Sequence, residues 1–195
     1  MDVAERAVRA WRVAREMLAD RAIEAAAAVA VGDGEVQRLA SELATFAIDI
    51  NPTTVVVFHS PDFSLKKEDL FAITGAATHA ILIMGAVPSG ASRKSLEAAA
   101  LKAEMQLEFF TLLEMQYNVS KHTYVPEHRR LSEAEEDEVL KLYALQSRFQ
   151  LHIILTSDPM ARYLGLRHGN IVRIERHSGT AGTCVDYRCC RNAAV

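Results

Sequence analysis

The stretch DPMARYLGLRHGNIVRIERHSGTAGTCVDYR, residues 158–188, decides how the last part of the chain folds. Asp158 is placed to cap a short helix whose first position is Pro159, where a missing N–H costs nothing. Met160, Tyr163 and Leu164 fall three and four apart on one face of that turn, and Gly165 lets the chain reverse. From Ile171 to Arg176 apolar and charged residues alternate, with Ile174 opposite Arg173 and Glu175, as in a half-buried strand. Thr180-Ala181-Gly182 predicts a turn, and Cys184 to Arg188 the returning strand. Nothing in the stretch looks like a catalytic nucleophile, a metal cage or a phosphate loop. It reads as a rigid docking module.

Just upstream, Ser132-Glu133-Ala134-Glu135 is a capping box at the start of a helix, with acidic residues in the first turn where the dipole favours them. Val139, Leu142, Tyr143 and Leu145 are expected to form its apolar side. Residues 118–130 lack a periodic apolar pattern and carry Pro126, which predicts a domain junction. Two domains follow, 1–118 and 119–195, the second a small α+β module.

The first domain opens with a helix over 3–24, where Val3, Ala7, Trp11, Ala14, Leu18 and Ala22 make one stripe. Its arginines face acidic partners four residues away (Asp2–Arg6, Glu5–Arg9, Arg12–Glu16), so a solvated face outweighs a nucleic-acid face. Ala25–Ala30 extends the helical tendency to the break at Gly32-Asp33-Gly34, and a second helix is expected over 35–46. Residues 53–58 are a continuous β-branched run, 66–74 a helix stopped at Gly75, and 79–84 another buried strand. Pro88, Ser89 and Ser92 introduce a helix with Leu96, Ala99, Ala100 and Ala103 on one face. Alternation of this kind makes an α/β layer.

Composition excludes several classes. Half the residues are hydrophobic, as in an ordinary folded protein, and no apolar run nears the ~18 residues that span a bilayer. The first residues lack the apolar segment of a secretory signal. The first domain holds eleven Lys and Arg against sixteen Asp and Glu, the second eleven against nine, far from an autonomous nucleic-acid binder. Cys184, Cys189 and Cys190 form no spaced pair, so reduced thiols are expected and neither metal nor cofactor is.

Residues 158–166, the following strand, 178–182 and Tyr187-Arg188 together resemble the C-terminal module of subunit five of eukaryotic nuclear RNA polymerases. That module also stands alone as a small subunit of the archaeal RNA polymerase. Tyr124-Val125-Pro126-Glu127-His128 and Leu131-Ser132 match the start of the family's C-terminal domain. Trp11-Arg12 and residues 78–96 are similar to its N-terminal jaw, and Leu107 to Met115 is read as a strand on that resemblance. The chain departs from the family at Gly179, usually acidic, at Leu151–Ile154, usually a basic-rich strand, and at Cys189-Cys190-Arg191, usually aliphatic. Such departures fit a paralogue specialised for one polymerase class.

The resemblance implies a restriction-endonuclease-like topology for the jaw, and Pro61-Asp62 echoes the metal-binding start of such nucleases. The strand 79–86 carries no carboxylate or lysine to complete that site, so a nuclease is not expected. Seven scattered histidines form no pair on a helix, and Ser64-x-x-Lys67 lacks companion motifs. What remains is a noncatalytic subunit of a nuclear polymerase, nucleolar if polymerase I, docking on the largest subunit and other subunits. The rival is a freestanding nucleic-acid-binding adaptor. Interface candidates are Pro126, Glu127 and His128 at the junction, then Asp158, Arg162 and Tyr163 on the short helix, and Arg173, Arg176, Tyr187 and Arg188 on the hairpin, since Arg and Tyr are favoured at interfaces. By resemblance Ser89, Ser92, Arg93 and Lys94 face the downstream DNA duplex, where a helix N-terminus suits phosphate.

Overall fold

A computed structural model of the chain describes residues 2–23, 31–59, 65–86, 88–179 and 182–192. The Ala25–Ala30 run, Pro61-Asp62, Ser64 and the turn residues Thr180-Ala181 lie outside the described residues. The chain divides into two compact units, Met1–Tyr117 and Asn118–Val195.

In the first unit, helix α1 (Val3–Asp20) buries Ala4, Ala7, Trp11, Ala14, Met17 and Leu18, while Val3 stays exposed. It stops short of the expected end, and Ala22 lies beyond it with φ of 52°. Trp11 Nε1 donates to the Val31 carbonyl at 3.0 Å. Arg12 donates through Nε to Asp33 at 2.9 Å, a partner across the helix pair rather than only along its own helix. Helix α2 (Asp33–Glu42) is shorter than the helix expected over 35–46, because Thr45–Asn51 is strand β1. Its sequence alternates, burying Phe46, Ile48 and Ile50 and exposing Asp49.

Strand β1 pairs antiparallel with β2 (Thr54–His59), which runs parallel to β3 (His79–Met84), itself parallel to β4 (Gln106–Thr111), giving the order β1-β2-β3-β4. All six residues of β2 are buried, the pattern of a strand covered on both faces. Helices α3 (Lys67–Thr74) and α4 (Gly90–Lys102) are the crossovers between parallel strands. Gly75 ends α3 at φ of 56°, in the left-handed region that glycine reaches without strain. Leu70, Leu96 and Ala100 from these helices pack with Val55, Val57 and Leu82 of the sheet.

The second unit has the sheet order β5-β7-β8-β6. Strand β5 (Glu127–Arg130) falls in the segment read as a domain junction. It carries no apolar alternation and is held by antiparallel pairing with β7 (Ile171–Ser178), from Glu127↔Glu175 to Arg130↔Val172. Strand β8 (Gly182–Arg191) returns antiparallel to β7, and β6 (His152–Leu155) lies parallel to β8 at the far edge. Helix α5 (Glu133–Leu142) has the expected capping box, Ser132 accepting from Glu135 N and Glu135 from Ser132 N. The Ser132 N–H, then Arg129 and the Ser132 hydroxyl, hold the Glu135 carboxyl down at about 2. The apolar side of α5 differs from expectation. Leu142 and Tyr143 are exposed and Leu145 lies past the helix end, while Glu136 is 2 % exposed beside buried Val139. Helix α6 (Pro159–Tyr163) begins as expected, with Asp158 Oδ1 accepting from Met160 N at 2.8 Å, and Met160, Tyr163 and Leu164 are buried together.

Candidate functional site

Register places the hairpin side chains on two faces rather than in one patch. Residues paired across an antiparallel ladder share a face, and neighbours along a strand alternate. Arg173 pairs with Tyr187, and with Glu175 they belong to the face on which Ile171 packs against Leu131 and Val139. Arg173 reaches Glu175 at 2.7 Å, and Tyr143 meets Tyr187 edge-on at 5.9 Å between centroids. The opposite face carries Asp186, Arg176, Arg188 and, from β6, His152. There Asp186 accepts from Arg188 Nε at 3.1 Å, with His152 Nδ1 at 3.5 Å and Arg176 Nη2 at 3.9 Å. Burial works against the Asp186 charge, yet the hydrogen bond and charge of Arg188, then those of His152, hold its carboxyl below the usual range.

The remaining interface candidates separate by burial. Tyr163 is 3 % exposed, and its hydroxyl accepts from Asn118 Nδ2 at 2.9 Å, so it belongs to the core and not to the surface expected for it. A 3₁₀ turn, Val119–Lys121, capped by Asn118, thus ties the start of the unit to α6. Asp158 is committed to capping α6, and Arg162 on that helix is half-buried. Glu127 is exposed, while Pro126 and His128 are half-buried and joined by a 2.7 Å contact between the Pro126 carbonyl and His128 Nδ1.

The hairpin rests on a buried carboxylate that sequence reading did not single out. Glu136 Oε1 accepts from Ile171 N at 2.8 Å, and Oε2 accepts from Arg148 Nη1 at 2.9 Å. Arg148 also donates to the Gly169 carbonyl at 3.0 Å, so both groups fix the chain where β7 begins. The available signal was spacing: Glu136 lies three residues before Val139 and so on its face of α5.

In the first unit, Ser89 caps α4 by accepting from Ser92 N at 3.2 Å. Arg93 is drawn back to Glu97 at 2.8 Å and lies over the Phe109 ring at 5.3 Å, whereas Lys94 is exposed. Of the DNA-side candidates, Lys94 presents its charge most openly. A second carboxylate, the half-buried Glu108 on β4, receives both terminal Arg21 guanidinium nitrogens at 3.0 and 2.8 Å and meets His79 Nε2 at 3.0 Å. Burial pushes the Glu108 carboxyl up, but the His79 hydrogen bond and the charge and hydrogen bonds of Arg21 prevail and hold it at about 2. With its oxygens so committed, Glu108 braces the end of α1 against the sheet.

Among the described residues no group of three or more His, Cys, Asp or Glu side chains could hold a metal ion. Cys189 and Cys190 are both buried on opposite sides of β8, and burial pushes the Cys190 thiol up to about 11, where it is a poor nucleophile. Among the same residues, no helix is long and apolar enough to cross a membrane.

Residues 117–190 match the model of the family described as RNA polymerase Rpb5, C-terminal domain. The second unit is similar to that domain over nearly its whole length. The match ends at Cys190, within the last strand of the sheet. The chain is 35% identical over 114 residues to a Dictyostelium discoideum protein named DNA-directed RNA polymerases I, II, and III subunit rpabc1. That similarity covers 58% of this chain and 57% of the relative. The correspondingly named RPABC1 proteins of Caenorhabditis elegans and Caenorhabditis briggsae are each 37% identical over 111 residues, covering 57% of this chain and 51% of theirs. The chain thus spans about half the length of the curated relatives it matches. The Rpb5 resemblance read from residues 158–188 is borne out.

Proposed function

We propose that this protein is a noncatalytic structural subunit of a nuclear DNA-directed RNA polymerase. The observation that carries this reading is the Rpb5 C-terminal domain match, which begins within one residue of the start of the second structural unit. Relatives named as subunits of polymerases I, II and III support an assembly role shared among polymerases. In this reading the C-terminal unit docks on the largest subunit. Its exposed arginines and its hairpin, braced by Glu136, supply a stiff surface that loses little entropy on binding. The N-terminal unit helps form the jaw beside downstream DNA, and its layered α/β sheet with parallel β2, β3 and β4 is compatible with a restriction-endonuclease-like topology.

Affinity purification of the tagged full chain from its own nuclei at moderate salt tests this proposal. The two largest polymerase subunits are expected in the eluate, and the chain recovered without them would favour the freestanding adaptor. The jaw role makes a separate prediction. Lys94→Ala is expected to leave assembly intact and to lower the slope of log affinity for downstream DNA against log salt by about 1, as loss of one phosphate contact does. An unchanged slope would remove Lys94 from the DNA path.

A further inference from the structure

The two edges of the C-terminal sheet are finished in different ways. At β5 the sequence is Glu-His-Arg-Arg, and charge of this kind keeps an edge from pairing with another chain. At β6 it is His-Ile-Ile-Leu, in unbroken register with β8 on one side. No strand among the described residues pairs with its other side. Ile153 is 49% and Leu155 43% exposed, on the face that carries Ile171. One step back on that face, Leu151 packs into the cluster of Leu131, Val139 and Ile171, so an apolar strip runs from the core to the open edge. On the other face His152 pairs in register with Arg188, and Arg176 and Arg188 outnumber Asp186.

We infer that the free edge of β6 receives an extended segment of a neighbouring polymerase subunit as a fifth strand, with apolar residues beside Ile153 and Leu155 and carboxylates beside His152 and Arg188. The site rests on the polymerase-subunit reading, which supplies the neighbouring chain. Strand addition draws affinity from main-chain hydrogen bonds and specificity from alternate side chains, and β6 offers both. A second copy of this chain fits less well. Its β6 would bring a histidine and three aliphatic residues, with no carboxylate for the positive corner.

The test compares the full chain with its Ile153→Lys, Leu155→Lys variant, which places charge on the edge as β5 already does. Circular dichroism checks the fold, and recovery of polymerase subunits from nuclei is the readout. Recovery is expected to fall at least tenfold in the variant. Equal recovery by variant and wild type would overturn the strand site while leaving the polymerase reading intact. Wild-type chain that recovers no polymerase subunits would overturn the polymerase reading itself. Amide hydrogen exchange on the wild-type complex needs no variant. The outward-facing amides among Ile153, Ile154 and Leu155 are expected to exchange at least tenfold more slowly in the complex than in the free chain, and unchanged exchange would overturn the site. A concentration-dependent dimer of the free chain that the variant abolishes would assign the edge to a second copy and overturn it as well.

Discussion

Glu136→Ala is expected to destabilise the C-terminal unit by about 2–3 kcal/mol, because it removes a buried carboxylate and leaves the buried Ile171 N–H and the half-exposed Arg148 without it. The stranded groups are Ile171 N, the first residue of β7, and Arg148 Nη1, which then keeps only the Gly169 carbonyl. Both sit where the hairpin leaves the core, so the loss falls on the element that carries Arg173, Arg176, Tyr187 and Arg188. Calorimetry of the full chain is expected to show the transition of this unit lowered by about 10 °C or more, given roughly 4–8 °C per kcal/mol for a small domain. Glu136→Gln keeps an acceptor for Ile171 N and loses the charge opposite Arg148, so its loss should be smaller. Variants that both unfold within 2 °C of wild type would show that the carboxylate does not hold the strand.

Acid should weaken the N-terminal unit through Glu108. Its carboxyl stands at about 2 in the folded chain against an ordinary 4.5. A group whose folded pKa is depressed contributes stability that is fully present above the unfolded value and is lost as pH falls through the folded value. The contribution is about 3 kcal/mol, and it disappears between pH 4.5 and about 2. Glu108→Gln removes the charge at every pH, leaving the Arg21 side chain, only 5% exposed, without that carboxylate. Urea unfolding of wild type and variant is therefore expected to differ by about 3 kcal/mol at pH 6, with the gap shrinking steadily below pH 4.5. A gap independent of pH would show that the Arg21–Glu108–His79 cluster acts through shape rather than charge.

These carboxylates mark where sequence reading stops. The elements of 158–188 were legible because each had a local cause: Asp158 and Pro159 for the helix start, Gly165 for its end, alternation around Ile174 for the strand. The strand over 79–84 and the capping box at Ser132 were legible for the same reason. Strand β5 was not, because Glu-His-Arg-Arg has no apolar face and becomes a strand only by pairing with β7. Strand β1 was missed although Phe46, Ile48 and Ile50 alternate with Asp49, because Phe46 also continued the helical pattern before it. Glu136 and Glu108 read as ordinary surface acids until their partners, Arg148 and Arg21, came in from distant positions. Arg173 and Arg176 are three residues apart in sequence, yet strand alternation sends them to opposite faces, which separates interface candidates that composition had grouped.

Cross-linking mass spectrometry on the native complex, with an amine-reactive reagent, tests most directly whether the Rpb5-type unit is the docking element. That unit offers Lys121 and Lys141, and the first unit offers Lys66, Lys67, Lys94 and Lys102. Links from Lys121 and Lys141 to the largest polymerase subunit are expected to dominate. If links to that subunit arise only from the four lysines of the first unit, or if Lys121 and Lys141 link to no polymerase subunit, the C-terminal unit is not the one that docks.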